Sequence, residues 1–325
     1  MKKNKGTLVI SLDFELIWGV FDHIDPLSKL NYFENTRKLI PQLCQLFADN
    51  KIAVTWATVG MLMHENWEDW LAFQPKEKPN YANRSVNAYR FGLEHKDIVP
   101  ESLFFAPDLV HKIQQTPFQE MATHSYSHYY CLEKGESLQA FDADLERAVA
   151  VAQRFNLPLK SLVFPRNQYT ESHIQLCAKW GIESVRTNPN IWFWDNECTK
   201  SPLLKKVFRT GDAYMPIVNM VYEKRQIKSN TGVILQPASR FYRPFGSSQT
   251  QRLLHRKRVF DEMTVAAKNN NIYHLWWHPH NFGNEPEICL QELKMLINHF
   301  IKLQEKYGMQ SNTMGQIAAT QKFFQ

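Results

Sequence analysis

The chain has 325 residues, 44% of them hydrophobic and 22% charged, close to the globular average, so wholesale disorder is excluded. Its 12 glycines and 16 prolines fall without a period, which excludes collagen-like and low-complexity chains. The net charge of +6, from 38 Lys and Arg against 32 Asp and Glu, favours anionic ligands such as nucleotides, phosphates or acidic lipid surfaces. It is too small by itself to argue for nucleic acid.

The first predicted element is a buried strand over residues 7–12 (TLVISL), a β-branched run that ends at Asp13. Lys2, Lys3 and Lys5 stand before it like the start of an export signal. Asp13 and Glu15 interrupt the apolar stretch and no small-residue cleavage site follows, so the expectation is a cytoplasmic protein. No run of about 18 apolar residues occurs elsewhere, and no transmembrane segment is expected. Residues 33–48 carry Phe33, Leu39, Ile40, Leu43, Leu46 and Phe47 at helical spacing, interrupted by Pro41. A second strand over 52–59 (IAVTWATV) is closed by Gly60, and a short helix is expected over 61–73. Residues 74–102, rich in Asn, Pro and Tyr and without a period, read as a long loop or insertion.

A strand over 118–123 delivers the motif THSYSH. The clearest helix covers 137–155, with Leu138, Phe141, Leu145, Val149, Ala152 and Phe155 in one stripe and Ser137 as its N-cap. A strand over 161–165 (SLVFP), a helix from Thr170 to Gly181 and a strand over 182–187 follow. Residues 189–247 are irregular and read as a hairpin or lid, a second candidate insertion. Residues 248–268 form a basic helix. Its cluster of Arg252, Arg256, Lys257 and Arg258 reads as a solvated face. A last strand over 272–277 delivers HPH, and a last helix covers 286–305.

Strands alternate with helices, which argues for parallel βαβ units. Length suggests about two domains, although α/β barrels of roughly 250 residues or more form one. No internal repeat and no linker splits the chain, so a single domain over 1–325 is expected, with insertions at 74–102 and 189–247. The five cysteines, Cys44, Cys131, Cys177, Cys198 and Cys289, show no CxxC spacing, which points away from a disulfide framework and fits a reducing compartment.

The polar motifs fall just after strands, at Asp13, His124, Pro165-Arg166 and His278, where parallel α/β folds collect their active residues. Asp13 and Glu15 point to the same side of an extended segment, and two carboxylates so close need a cation or a proton between them. His124 and His128, at i and i+4, reach one point if they lie on a helical turn, and two imidazoles with one carboxylate make an open divalent-metal site. Arg166 can orient a carboxylate bidentately. His278, directly after the last strand, is the preferred general acid over His274 and His280.

Together these four segments resemble the polysaccharide deacetylase family, the NodB-homology carbohydrate esterases, over roughly residues 7–280. THSYSH is similar to the family's H-(S/T)-x-x-H, and SLDFELIWG resembles the branch whose acidic motif reads S-x-D-F-E-x-x-W-G, associated with surface-polysaccharide gene sets. The resemblance implies an α/β fold, a single distorted (β/α) barrel of the NodB type with loop insertions. It implies a metal-dependent hydrolase removing an N-acetyl or other acyl group from a sugar in surface-polysaccharide biosynthesis, with one divalent metal ion, zinc first among the expectations. By position, Asp13 matches the catalytic base, His124 and His128 the metal histidines, Arg166 the arginine that orients the base, and His278 the general acid. Phe14 stands where many members have a second aspartate, so the family's metal carboxylate is either Glu15 or missing here; Glu15, on the same side as Asp13, is the choice, with Asp13 the alternative ligand. The acidic residue that tunes the general acid has no clear position, and Asp195 and Asp212 are candidates. The implied substrate is an acetylated sugar, nucleotide- or lipid-linked, with no nucleic-acid partner. The alternatives are an inactive carbohydrate-binding protein on the same fold and an amidohydrolase for a non-sugar C–N bond. The oligomeric state is not readable from the sequence.

Overall fold

Strand β1 (Thr7–Phe14) is buried along its whole length, with parallel partners on both sides. That is why it reads as an unbroken apolar run rather than an alternating one. In the computed structural model, which describes residues 5–189, 191–194, 203–223, 227, 231–244 and 248–322, β1 pairs with β2 (Val54–Thr58), which pairs with β3 (Gln119–Thr123). The sheet continues through β4 (Ser161–Val163) and β5 (Ser184–Thr187) to β6 (Ile234–Pro237). On the other side of β1 lie β8 (Ile272–Trp277) and then β7 (Arg240–Phe241). All these pairings are parallel, and a short β9 (Gln310–Ser311) adds to the start of β1.

The edge strands β6 and β7 are separated in the chain only by Ala238 and Ser239. Ala238 N–H donates to Thr187 O of β5 and Ser239 N–H to His274 O of β8, each at 2.7 Å. One bent segment therefore touches both edges, and the sheet curls into a distorted (β/α) barrel. Register keeps the strand ends level. Phe14 lies opposite Thr58, Thr58 opposite Thr123, and Leu12 opposite Trp277. Glu15, His124 and His278 thus emerge on a common rim.

Helices surround the sheet. Helix α1 (Leu30–Asp49) runs through Pro41 without ending there. Its buried stripe of Phe33, Ile40, Leu43, Cys44 and Phe47 outweighs the roughly 3 kcal/mol that an internal proline costs. The expected helix over 61–73 is split into a single turn (Gly60–Met63) and α2 (Trp67–Ala72), capped by the Asn66 side chain. Residues 74–102 are not structureless: they hold α3 (Ala88–His95), capped by Asn87. Helix α4 (Pro107–Gln114), α5 (Leu138–Gln153) with Ser137 as N-cap, and α6 (Glu171–Lys179) after Thr170 follow.

The segment 189–247 differs most from its expectation as a hairpin or lid. It carries α7 (Leu203–Asp212) and both closing strands, so part of it belongs to the barrel wall. Strands of four and two residues, the first ending in Pro237, leave too little periodicity to be read in advance. Helix α8 (Gln249–Asn269) is likewise not simply a solvated basic face. Arg258 is buried against Glu262 and Asp212, and Arg256 pairs with Glu292 of α9 (Pro286–Tyr307). Helix α10 (Met314–Lys322) closes the described chain. Cys44, Cys131, Cys177 and Cys289 are buried free thiols, and Cys198 lies outside the described residues. Among the described residues, no helix is long and apolar enough to cross a membrane.

Candidate metal and catalytic site

Glu15 leaves β1 into a single helical turn, Leu16–Gly19, that folds its carboxylate back into the barrel mouth. Trp18 anchors this turn: it is buried, donates from Nε1 to Phe104 O at 2.7 Å and packs against Trp70 and Phe91. Gly19 makes room for it. A Cβ at position 19 would stand 1.9 Å from Glu15 Oε1, so the glycine of the acidic motif is required by the carboxylate four residues before it.

His124 and His128 reach Glu15 from a loop, not from the helical turn that their spacing suggests. Ser125 and His128 adopt left-handed backbone conformations, at φ 59° and 56°. Such strain persists only where the surroundings over-determine it. Here Asp144 of α5 does so, accepting from Tyr126 N at 2.7 Å, from Ser127 N at 3.0 Å and from the Ser127 hydroxyl. Ser125 Oγ accepts from Tyr129 N at 2.7 Å. Tyr126 is held in turn by a buried His64, whose Nε2 lies 2.9 Å from its hydroxyl and whose Nδ1 lies 2.7 Å from Asp69. Gly60, at the end of β2, lets this loop approach, since a Cβ there would lie 2.8 Å from the Tyr126 ring.

The two imidazoles and Glu15 form a tight, buried group. Glu15 Oε2 lies 3.2 Å from His124 Nε2 and 3.2 Å from His128 Nε2. His124 Nδ1 is 2.8 Å from Val163 O, so in its neutral form the ring places its proton on that carbonyl and presents an Nε2 lone pair to Glu15. A lone pair facing a carboxylate oxygen is repulsive unless a cation sits between them. Glu15 Oε2 and His128 Nδ1 are buried and make no hydrogen bond. The three donor atoms lie within 4.8 Å of one another. Two imidazole nitrogens and one carboxylate oxygen are the donor set of an open divalent-metal site, and the residues present fit such an ion. Burial opposes charge on Glu15, but His278, His124 and His128 outweigh it and hold the carboxyl well below its usual range. Burial also lowers the His128 imidazole.

Asp13 is oriented by an arginine, but not by Arg166. Arg186, in the middle of β5, reaches across the barrel and binds Asp13 bidentately, Nη1 to Oδ1 and Nη2 to Oδ2, each at 2.7 Å. Its Nη1 also donates to Ser11 Oγ at 3.0 Å, and Ser11 lies 2.9 Å from His274 Nε2. Burial next to this guanidinium pushes His274 down to about 3, so His274 is the neutral end of the chain. Burial would raise the Asp13 carboxyl, yet Arg186 outweighs it and keeps the group below its ordinary value.

Arg166 sits at the rim instead. It pairs with Asp22, lies 3.9 Å from Glu133 and covers the Tyr130 ring at 4.3 Å. Its own backbone and that of Asn167 are left-handed, at φ 54° and 52°, and turn it away from Asp13. Burial works against the Asp22 charge, but His23 and Arg166 lower the carboxyl to about 2. Arg186 escaped the sequence reading because a lone arginine inside a short strand lacks a motif. The usable signal was that a buried strand cannot carry an unpaired guanidinium.

His278 completes the group. Its Nε2 lies 3.7 Å from Asp13 Oδ2 and 3.7 Å from Glu15 Oε1, while Nδ1 lies 3.0 Å from Asn281 Oδ1. The neighbour on its outer nitrogen is thus an amide rather than an acid. Asp212 is away from this site, buried against Arg240 and Arg258, and Asp195 lies outside the described residues. Of the residues singled out by sequence, Asp13, Glu15, His124, His128 and His278 are together, and Arg166 is displaced to the rim. Asp22 also borders a cavity of about 380 Å³, lined on the far side by Arg84, Arg90, Phe91 and His95 of the 74–102 segment.

The sequence matches the polysaccharide deacetylase family over residues 14–185, more than half of the chain. Among solved structures, the fold is similar to that of a candidate polysaccharide deacetylase from Mycobacterium smegmatis, at 11% identity and a TM-score of 0.62, covering 100% of this chain and 93% of that one. A second candidate polysaccharide deacetylase, from Pseudomonas aeruginosa PAO1, is similar at 9% identity and a TM-score of 0.56, over 96% of this chain and 89% of that one. An allantoinase is similar at 10% identity and a TM-score of 0.57, over 98% and 91%. At these identities the likeness is one of fold. No protein of curated function matches the sequence.

Proposed function

The chain belongs to the polysaccharide deacetylase family, and from that premise we propose that it is a metal-dependent N-deacetylase acting on an acetylated sugar. The observation that carries this reading is the convergence of the buried Glu15 Oε2 with His124 Nε2 and His128 Nε2, each at 3.2 Å. A divalent ion held by these three atoms, zinc in the first instance, supplies when bound a polarised amide carbonyl and an acidified water.

The chain's own residues supply the proton movements. Asp13, kept ionised by Arg186, takes the proton from the attacking water. His278 gives a proton from Nε2 to the departing amine, with Asn281 fixing its ring through Nδ1. The C–N bond breaks, and acetate and a free amino sugar leave. His278 is the most exposed of these side chains, at 24%, against 2% to 3% for Asp13, Glu15, His124 and His128. That suits a group that meets the leaving side of the substrate.

Arg166 is proposed for substrate positioning rather than for orienting Asp13. Held over the buried Tyr130 ring and paired with Asp22, it forms a charged rim of the kind that hydrogen-bonds sugar hydroxyls. The adjoining cavity of about 380 Å³ is within the range of small-ligand sites, and the 74–102 segment that lines it is proposed to set specificity. The positive net charge of +6 supports a phosphate-bearing substrate, such as a nucleotide- or lipid-linked intermediate of surface-polysaccharide assembly.

The test is a calorimetric titration of chelator-stripped protein with zinc, followed by acetate release from a panel of N-acetylated amino sugars. Wild type is expected to bind zinc tightly, and Glu15→Ala and His128→Ala are expected to lose that tight event and their turnover. Tight binding that survives in Glu15→Ala moves the carboxylate to Asp13. No zinc binding in wild type overturns the reading.

A further inference from the structure

We infer that the same site holds a second divalent-cation position, built from Glu15 Oε1, His278 Nε2 and His280 Nδ1, and that a cation there silences the enzyme. The inference has its own geometry. Glu15 Oε1 lies 3.7 Å from His278 Nε2 and 3.8 Å from His280 Nδ1, and the three atoms lie within 4.8 Å of one another. The first group uses Glu15 Oε2, so the two positions share one carboxylate through its two oxygens. A carboxylate bridging two ions is a recurrent arrangement in two-metal sites.

His280 is the independent pointer. It is 2% exposed, and its Nδ1 is buried without a hydrogen-bond partner while facing the carboxylate. An orphaned ring nitrogen at that depth costs stability unless something binds it. Its ring stacks on His278 at 5.0 Å and 15°, and is walled by Tyr32 and Phe33, so its direction is fixed by packing. His278 is prepared in the same sense. Its Nδ1 lies 3.0 Å from Asn281 Oδ1, the outer-partner pattern of metal-bound histidines, so that once Nε2 has lost its proton it presents a lone pair to Glu15. Two imidazoles and a carboxylate suit zinc and its first-row neighbours rather than magnesium or calcium.

The consequence follows from one lone pair. Nε2 of His278 cannot carry a cation and a proton together, and the proposed deacetylation needs the proton. The second ion therefore acts as an inhibitor, a part of the inference that rests on the deacetylase reading. It binds the more weakly of the two, because the shared carboxylate already faces one cation and because this outer position opens to solvent through His278.

The experiment titrates the chelator-stripped full chain with zinc, beside His280→Phe, which keeps the ring packing but removes the donor atom. Wild type is expected to take up two ions in a tight and a weaker event, and His280→Phe only the tight one. Acetate release is expected to rise with the first equivalent and fall with the second in wild type, and not to fall in His280→Phe. One ion in wild type, or a weak event that His280→Phe leaves unchanged, overturns the second position while the deacetylase reading stands. No ion at all overturns both.

Discussion

Arg186 lies in β5 and Arg166 just after the neighbouring β4, and it is Arg186 that meets Asp13. Arg186 lies in β5 opposite Val163 and is 1% exposed, so its guanidinium is directed into the barrel and meets the Asp13 carboxylate. Arg166 comes three residues after the end of β4, where a left-handed backbone sends it to the rim. The two substitutions should therefore separate. Arg186→Met is expected to lower kcat by about 100-fold, the usual scale for a misplaced general base. With the guanidinium gone, burial dominates and the Asp13 carboxyl rises, so the acid limb of the pH–rate profile should move upward. Arg166→Met is expected to raise KM and leave that limb in place. A pH–rate series on the two variants decides it, and an unshifted acid limb in Arg186→Met would reject the assignment.

At the scale of single elements, the histidine loop shows how a short motif is bent into a ligand pair. Its two left-handed residues are held because Asp144 of α5 collects three donors from Tyr126 and Ser127. Burial outweighs these hydrogen bonds and raises the Asp144 carboxyl from 3.8 to about 6. The folded chain thus binds more protons than the unfolded chain between those values. The stability this residue contributes is fully present at the acid end and is lost as the pH rises through about 6. Asp144→Asn, which cannot ionise, is expected to flatten that part of the stability profile, measured by urea denaturation between about pH 4 and 7. Asp144→Ala leaves buried N–H groups without an acceptor. It should cost about 2–3 kcal/mol and weaken metal binding by releasing His128.

Closure of the barrel belongs to the whole molecule. Strand β7 is fastened to α8 by a buried ion cluster. Arg240 donates to both oxygens of Glu262, at 2.7 and 2.8 Å, and lies 3.1 Å from Asp212 at the end of α7. Tyr273 of β8 adds a hydrogen bond to Glu262 at 3.1 Å. Breaking one partner strands a buried charge, so Glu262→Leu alone is expected to destabilise by about 3–5 kcal/mol. Glu262→Leu with Arg240→Met should cost clearly less, and a double-mutant cycle in urea measures the coupling. Additive losses would mean that the cluster does not act as a unit.

The residues that do the proposed chemistry were legible in sequence wherever they follow a strand directly. Asp13 and Glu15 stand at the end of β1, His124 directly after β3 and His278 directly after β8, and parallel strands in level register bring such positions to one rim. The alternation of strands and helices determined the fold class in the same way, because hydrophobic period is a local property. Tertiary structure alone decided the rest. Arg186 was hidden because its partner lies 173 residues away, across the barrel. Sequence favours His278 over His280 because it directly follows the strand, and nothing local shows that the His280 Nδ1 is buried and aimed at Glu15. The closing strands β6 and β7 are too short to carry a period, and they form only because β5 and β8 offer them open edges. Which arginine meets which carboxylate, and which nitrogen is left unpaired, are matters of distance through space, and spacing along the chain does not encode them.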